Sequence, residues 1–208
     1  MLHSELIPAA DRGSQRLMVM LHGLGDCIEG YRWFPEAMRL PWLNYLLVNA
    51  PDEYYGGYSW FDLNAADMAP GVIRSRKLIF DLLDAQRAKG FPTGQTTLGG
   101  FSQGCLMTME VGLRYPHKFA GLVGISGWVC ALDIALKELS PVAREQRFLM
   151  TNGTFDPIVP FGRTRKQVTE LQAAGLQVEW HEFAKPHTIA GEEEMRVIRE
   201  FVRQGYSG

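Results

Sequence analysis

Apolar residues along this chain fall into two arrangements. Six short runs, RLMVMLHG (16–23), LNYLLVNAP (43–51), QTTLGGF (95–101), AGLVGISG (120–127), RFLMTNG (147–153) and QVEWHEF (177–183), are of strand length and end in Gly, Asn, Pro or polar residues. Such runs are what strands buried on both faces of a parallel sheet look like. Between them lie GVIRSRKLIFDLLDAQRAKG (71–90), QGCLMTMEVGLRYP (103–116), FGRTRKQVTELQAAG (161–175) and GEEEMRVIREFVRQGY (191–206). In the first of these, Val72, Ile73, Leu78, Ile79, Leu82 and Leu83 recur near helical spacing, and Gly90 and Pro92 supply the stop. The alternation predicts an α/β fold, a mainly parallel central sheet with helices on both faces, whose ligands gather at the carboxyl ends of the strands.

One stretch fits neither arrangement. DEYYGGYSWFDLNAADMAPG (52–71) crowds Tyr54, Tyr55, Tyr58, Trp60 and Phe61 around Gly56 and Gly57, unlike a helix and too broken for a buried strand. It predicts a loop with an apolar face, and three readings stay open for its rings: completing the core, walling a substrate groove, or contacting a second copy in a homodimer.

Composition narrows the class without changing this picture. The 208 residues carry a net charge of −2 and are 46% hydrophobic, enough for one sizeable core, and no second composition regime interrupts them. A single domain over residues 1–208 is expected. No block of like charge offers a footprint to nucleic acid. Neither a signal peptide nor an apolar run long enough to cross a membrane is visible, so the expectation is a cytoplasmic protein. Cys27, Cys105 and Cys130 have neither the even count nor the spacing of a disulfide framework or zinc site.

The chemistry is concentrated in GFSQG, residues 100–104. By chance G-x-S-x-G arises roughly 0.09 times in a chain of this serine and glycine content, a moderate signal by itself. Its context raises it, because a strand-like run precedes it and a helix-like one follows. That is the setting of a nucleophile elbow, a sharp turn that leaves the serine hydroxyl exposed at a helix start. The alternative is a glycine-rich turn whose serine caps the helix.

A serine nucleophile needs a base and an acid. Of the five histidines, His3 falls in an expected N-terminal strand, His117 in the turn after the elbow helix and His181 inside a strand, while His22 ends a strand and neighbours the site. His187, in the loop between the last strand and the C-terminal helix, is the best base. Asp156, after the penultimate strand, reaches the same rim, although Asp-Pro is also an ordinary turn dipeptide. The chain order Ser102, Asp156, His187 is that of the hydrolase triad. The backbone N–H groups of Gln103, directly after the serine, and of Leu24, in the glycine-rich LHGLGD turn, are the expected oxyanion donors.

LHGLGD, GFSQG, GTFDPIVP and PHTIAGEEEM, in this order, together resemble the phospholipase/carboxylesterase family of alpha/beta-hydrolases, which includes acyl-protein thioesterases and small carboxylesterases. The resemblance implies an alpha/beta-hydrolase with a minimal cap, acting on esters, thioesters or lysophospholipids, and a groove wall in the region of Trp60 and Phe61. The residues before Asp156 (Asn152 to Phe155) and before His187 (Lys185 and Pro186) depart from the family's usual pattern, which bears on pocket shape and hence substrate. The expected activity is that of a carboxylesterase on small ester or acyl substrates, with lysophospholipase or acyl-protein thioesterase as the close alternative. No metal or organic cofactor is expected. A non-catalytic binding module on the same fold would be expected to lack a triad member, and none is lacking.

Overall fold

The computed structural model describes residues 1–206; Ser207 and Gly208, which close the expected domain, lie outside the described residues. In chain order the elements are β1 (Ser4–Ile7), β2 (Leu17–Leu21), α1 (Phe34–Met38), β3 (Asn44–Val48), β4 (Asp52–Tyr54), β5 (Gly57–Ser59), α2 (Ala69–Ala88), β6 (Thr96–Phe101), α3 (Gln103–Arg114), β7 (Gly121–Ile125), α4 (Leu132–Ala135), β8 (Arg147–Gly153), α5 (Phe161–Ala173), β9 (Gln177–Phe183) and α6 (Gly191–Gln204). Seven strands form one sheet in the order β1-β3-β2-β6-β7-β8-β9. All neighbours are parallel except β1, which runs antiparallel along β3.

The unbroken apolar runs are explained by burial on both faces. In β2, Leu17, Val19 and Leu21 belong to an apolar cluster that also holds residues of α2, α3 and α5, while Met18 and Met20 belong to the one on the other face with residues of α1 and α6. Phe148 and Met150 of β8 join the first cluster and Leu149 the second. Burying such a side chain fully is worth roughly 1.5–3 kcal/mol, so either face stripped of its helices would be unstable in water. The expected mainly parallel sheet with helices on both faces is therefore the architecture observed. Among the described residues no helix is long and apolar enough to cross a membrane.

The winding of the chain decides where a site can form. From β2 it steps to β3 on one side, and from β6 it proceeds through β7, β8 and β9 on the other. The loops after β2 and β6 thus diverge at a switch point, the place where open α/β sheets bind ligands.

One expectation is corrected. Residues 52–71 are not simply a loop: β4 and β5 form an antiparallel hairpin, and α2 already begins at Ala69. The pairing is too short to leave a period in the sequence, and the turn uses Tyr55 (φ 45°) and Gly56 (φ 87°) in left-handed conformations. Tyr55 is 95% exposed, so of the readings for its ring, core completion does not apply.

Candidate active site

Ser102 stands between the end of β6 and the start of α3, with φ 55° and ψ −115°. A non-glycine residue there is strained, at a cost of about 1–3 kcal/mol. The flanking glycines are required by close approach: a Cβ on Gly100 would lie 2.2 Å from the carbonyl oxygen of Gly104, and one on Gly104 would lie 2.2 Å from that of Leu21. The turn is held further by the Ser102 amide, which donates to the Ile125 carbonyl at 2.9 Å.

The three residues expected to act together are brought together. His187 Nε2 is 2.9 Å from Ser102 Oγ, and His187 Nδ1 is 2.7 Å from Asp156 Oδ2. The other carboxylate oxygen, Asp156 Oδ1, accepts from the amides of Ile158 (2.9 Å) and Val159 (2.8 Å). Asp156 is thus an acceptor only, which leaves His187 Nδ1 as donor and directs the free lone pair of Nε2 at the serine hydroxyl. Such an array can take a proton from the hydroxyl and return it to another atom.

Two loops carry Asp156 and His187, and they continue the pairing of β8 with β9. The Thr154 amide donates to Phe183 and the Phe155 amide to Lys185. Lys185 itself is buried, its ammonium 2.6 Å from both carboxylate oxygens of Glu194. Glu194 also accepts from the Thr151 hydroxyl (2.5 Å) and the Ala190 amide (2.6 Å). Burial pulls the Lys185 ammonium down from its ordinary 10.5, opposed by the carboxylates of Glu194 and Asp156. This ion pair joins the two ends of the segment that bears His187.

The first turn after β2 lies against the elbow, since β2 and β6 pair at Leu21 and Gly100 and a Cβ on Gly23 would come 3.4 Å from Ser102 Cβ. Neither the Leu24 nor the Gln103 amide donates to another backbone group among the described residues. The turn is fixed from behind. His22 is buried with Nδ1–H donating to the Gly23 carbonyl (2.6 Å) and Nε2 accepting from the Ala50 amide (3.0 Å). Burial holds its imidazole below the ordinary 6.5, against the pull of Gly23 and Asp26. Hairpin strand β5 supplies backbone bonds, Gly25 N–H to Tyr58 and Tyr58 N–H to Asp26, at 2.9 and 3.0 Å.

Trp60 and Phe61 are not groove residues. Both are fully buried in the core, and the Trp60 indole N–H donates to the His22 carbonyl at 2.9 Å. Their backbones are claimed by the Gln103 side chain, which accepts from the Trp60 amide (3.0 Å) and donates to the Phe61 carbonyl (2.9 Å). The space beside Ser102 is instead a cavity of about 260 Å³ walled by Leu63, Met68, Trp128, Ile158 and Val159, with Arg163 among its lining residues. Leu63 and Met68 lie in the same aromatic stretch of sequence. Ile158 and Val159 follow Asp156 directly, so proximity to the acid was the signal available for them.

Known proteins resemble this chain in sequence and in fold. A sequence model of the phospholipase/carboxylesterase family matches residues 2–205. The acyl-protein thioesterase 1 of Schizosaccharomyces pombe is 35% identical over 156 residues, 69% of each chain. The crystal structure of esterase PE8 superposes with a TM-score of 0.84 at 26% identity and 98% coverage of both chains. A carboxylesterase of Bacillus cereus shares the fold, with a TM-score of 0.84 at 18% identity, over 99% of this chain and 95% of its own.

Proposed function

The chain belongs to the phospholipase/carboxylesterase family, and we propose that it is a serine hydrolase of carboxylic esters working through an acyl-enzyme, as one catalytic domain. The observation that carries this reading is the unbroken hydrogen-bonded chain from Asp156 through His187 to a strained Ser102. Ser102 Oγ attacks the acyl carbon as His187 Nε2 takes its proton, and Asp156 holds the imidazole in the tautomer that can do so. The amides of Leu24 and Gln103 receive the oxyanion, and their unspent donors support that role. His187 then delivers the proton to the leaving group, and water cleaves the acyl-enzyme by the same steps. The apolar cavity beside Ser102 suits an acyl chain.

Thioester hydrolysis is the second reading, favoured by relatives named acyl-protein thioesterase. The same residues would serve, with sulfur as the departing atom. A fluorophosphonate probe tests the shared premise: a covalent adduct at Ser102 of the folded protein, lost in Ser102→Ala, is expected. A folded chain that takes no label would instead be a binding module. A chain-length series of esters, thioesters and lysophospholipids, with Ser102→Ala as blank, separates the two activities.

A further inference from the structure

Two cavities meet the catalytic residues. The one holding Ser102 is assigned above to the acyl chain. The second, about 270 Å³, is lined by His187, Phe101, Asp26, Tyr31, Trp33 and Ile189, among others, and does not include the serine. Because His187 hands its proton to the departing atom, space on the histidine's side takes the leaving group.

The lining of this second cavity has a definite chemical preference. Apart from the imidazole, Asp26 is its one titratable acid or base of strong charge among the lining residues. Asp26 Oδ1 accepts from the Cys27 amide at 2.8 Å, a local turn contact. Its Oδ2 accepts no hydrogen bond from the described residues, and none of the ion pairs includes it. The rings of Phe101, Tyr31 and Trp33, the last 44% exposed, line the same cavity as this carboxylate. An anionic leaving group would be repelled by Asp26, and a neutral apolar one would press against an unpaired charge. A cation avoids both penalties, because it is drawn to the carboxylate and tolerates an aromatic lining.

We infer that this cavity selects leaving groups carrying a cationic nitrogen a few bonds from the scissile atom, a quaternary or protonated amine on an alcohol or thiol. The inference rests on the assignment of Ser102 and His187 made above. In the acylation step a bond forms between Ser102 Oγ and the acyl carbon, and the bond from that carbon to the leaving oxygen breaks. The leaving oxygen keeps the electron pair and receives from His187 Nε2 the proton that came from Ser102. The amino alcohol departs with its positive charge unchanged, beside Asp26.

The test compares butyrylcholine with its uncharged carbon isostere, 3,3-dimethylbutyl butyrate, in the full-length wild type, Asp26→Asn and Trp33→Leu. The ratio of their kcat/KM values cancels the effect of either substitution on the shared chemistry. We expect this choline-to-neutral ratio to fall about tenfold in Asp26→Asn and severalfold in Trp33→Leu. Choline chloride should competitively inhibit hydrolysis of the neutral ester by wild type, where sodium chloride at equal ionic strength does not. An unchanged ratio in both variants, or no competitive inhibition by choline, overturns the inference. If Asp26→Asn fails to fold, Trp33→Leu and choline inhibition decide. If wild type cleaves neither ester, the catalytic reading fails separately, and choline binding measured by calorimetry on wild type and Trp33→Leu still decides the cavity.

Discussion

The loop that follows β2 and the loop that follows β9 arrive at the same serine, but different chemistry holds each in place. The first, carrying Leu24, is fixed by neutral groups: the His22 ring between two backbone partners, the Trp60 indole, and backbone bonds from β5. The second, carrying His187, is closed by the buried Lys185–Glu194 ion pair. The difference predicts what each half tolerates. A neutral network weakens by about one unmet hydrogen bond when a partner is removed, whereas a buried ion pair that loses one member leaves a desolvated charge.

The largest expected effect strikes the point both loops serve. Ser102→Ala and His187→Ala should each lower kcat by a factor on the order of 10⁴ while leaving the thermal midpoint near that of wild type. Asp133→Asn, on the short surface helix α4, is the carboxylate control and should keep near wild-type turnover in the same assay. Survival of turnover in either alanine variant would detach both loops from catalysis.

Next comes the charged loop. Glu194→Ala strands the Lys185 ammonium and should cost about 3–5 kcal/mol in urea unfolding, with Lys185→Met/Glu194→Met recovering most of it. If the single and double variants are equally unstable, packing rather than charge holds this segment. The neutral side should respond less: Gln103→Leu leaves the Trp60 amide unpaired and removes one of the two donors to the Phe61 carbonyl, the Ser59 hydroxyl remaining, and should cost about 1–3 kcal/mol. A loss as large as that of Glu194→Ala would erase the contrast.

The smallest effect is a pH dependence on the neutral side. The folded His22 ring titrates below its ordinary 6.5, so as pH falls the unfolded chain takes up the proton first. The stabilisation is therefore full above 6.5 and is lost as pH drops from there towards the lower folded value. Unfolding free energies of wild type and His22→Gln, measured from pH 7.5 to 5, should converge as the pH falls. Parallel curves would show that His22 carries no such linkage.

Much of this arrangement could be read along the chain, and the exceptions have a common cause. Strands buried on both faces declare themselves as apolar runs, and Ser102, Asp156 and His187 each follow a strand in the expected order. What escaped depends on contacts distant in sequence. Trp60 and Phe61 look like groove residues until the Gln103 amide, over forty positions away, is seen holding their backbones. Glu194 is one of three consecutive glutamates, and only the fold makes it the buried one, because α6 turns Glu192 outward to Arg39 and Arg199. Lys185 read as a departure from the family pattern before Pro186, with nothing local to reveal its partner nine residues on. Leu63 and Met68, which line the cavity beside Ser102, lie in the same stretch as Trp60 and Phe61, and nothing local in the sequence distinguishes the cavity residues from the buried ones.

The backbone at Ser102 has a consequence for how this protein would change under selection. Its φ of 55° suits glycine and strains serine, so the activity of the site and the durability of the chain are set against each other at one position. Ser102→Gly would relieve the strain, removing the hydroxyl with it. A population screened only for survival on heating would thus accumulate glycine at this position, and the first heat-tolerant lineages to appear would include catalytically dead ones. Only a screen that scores turnover after the heat step would steer improvement to the rest of the molecule.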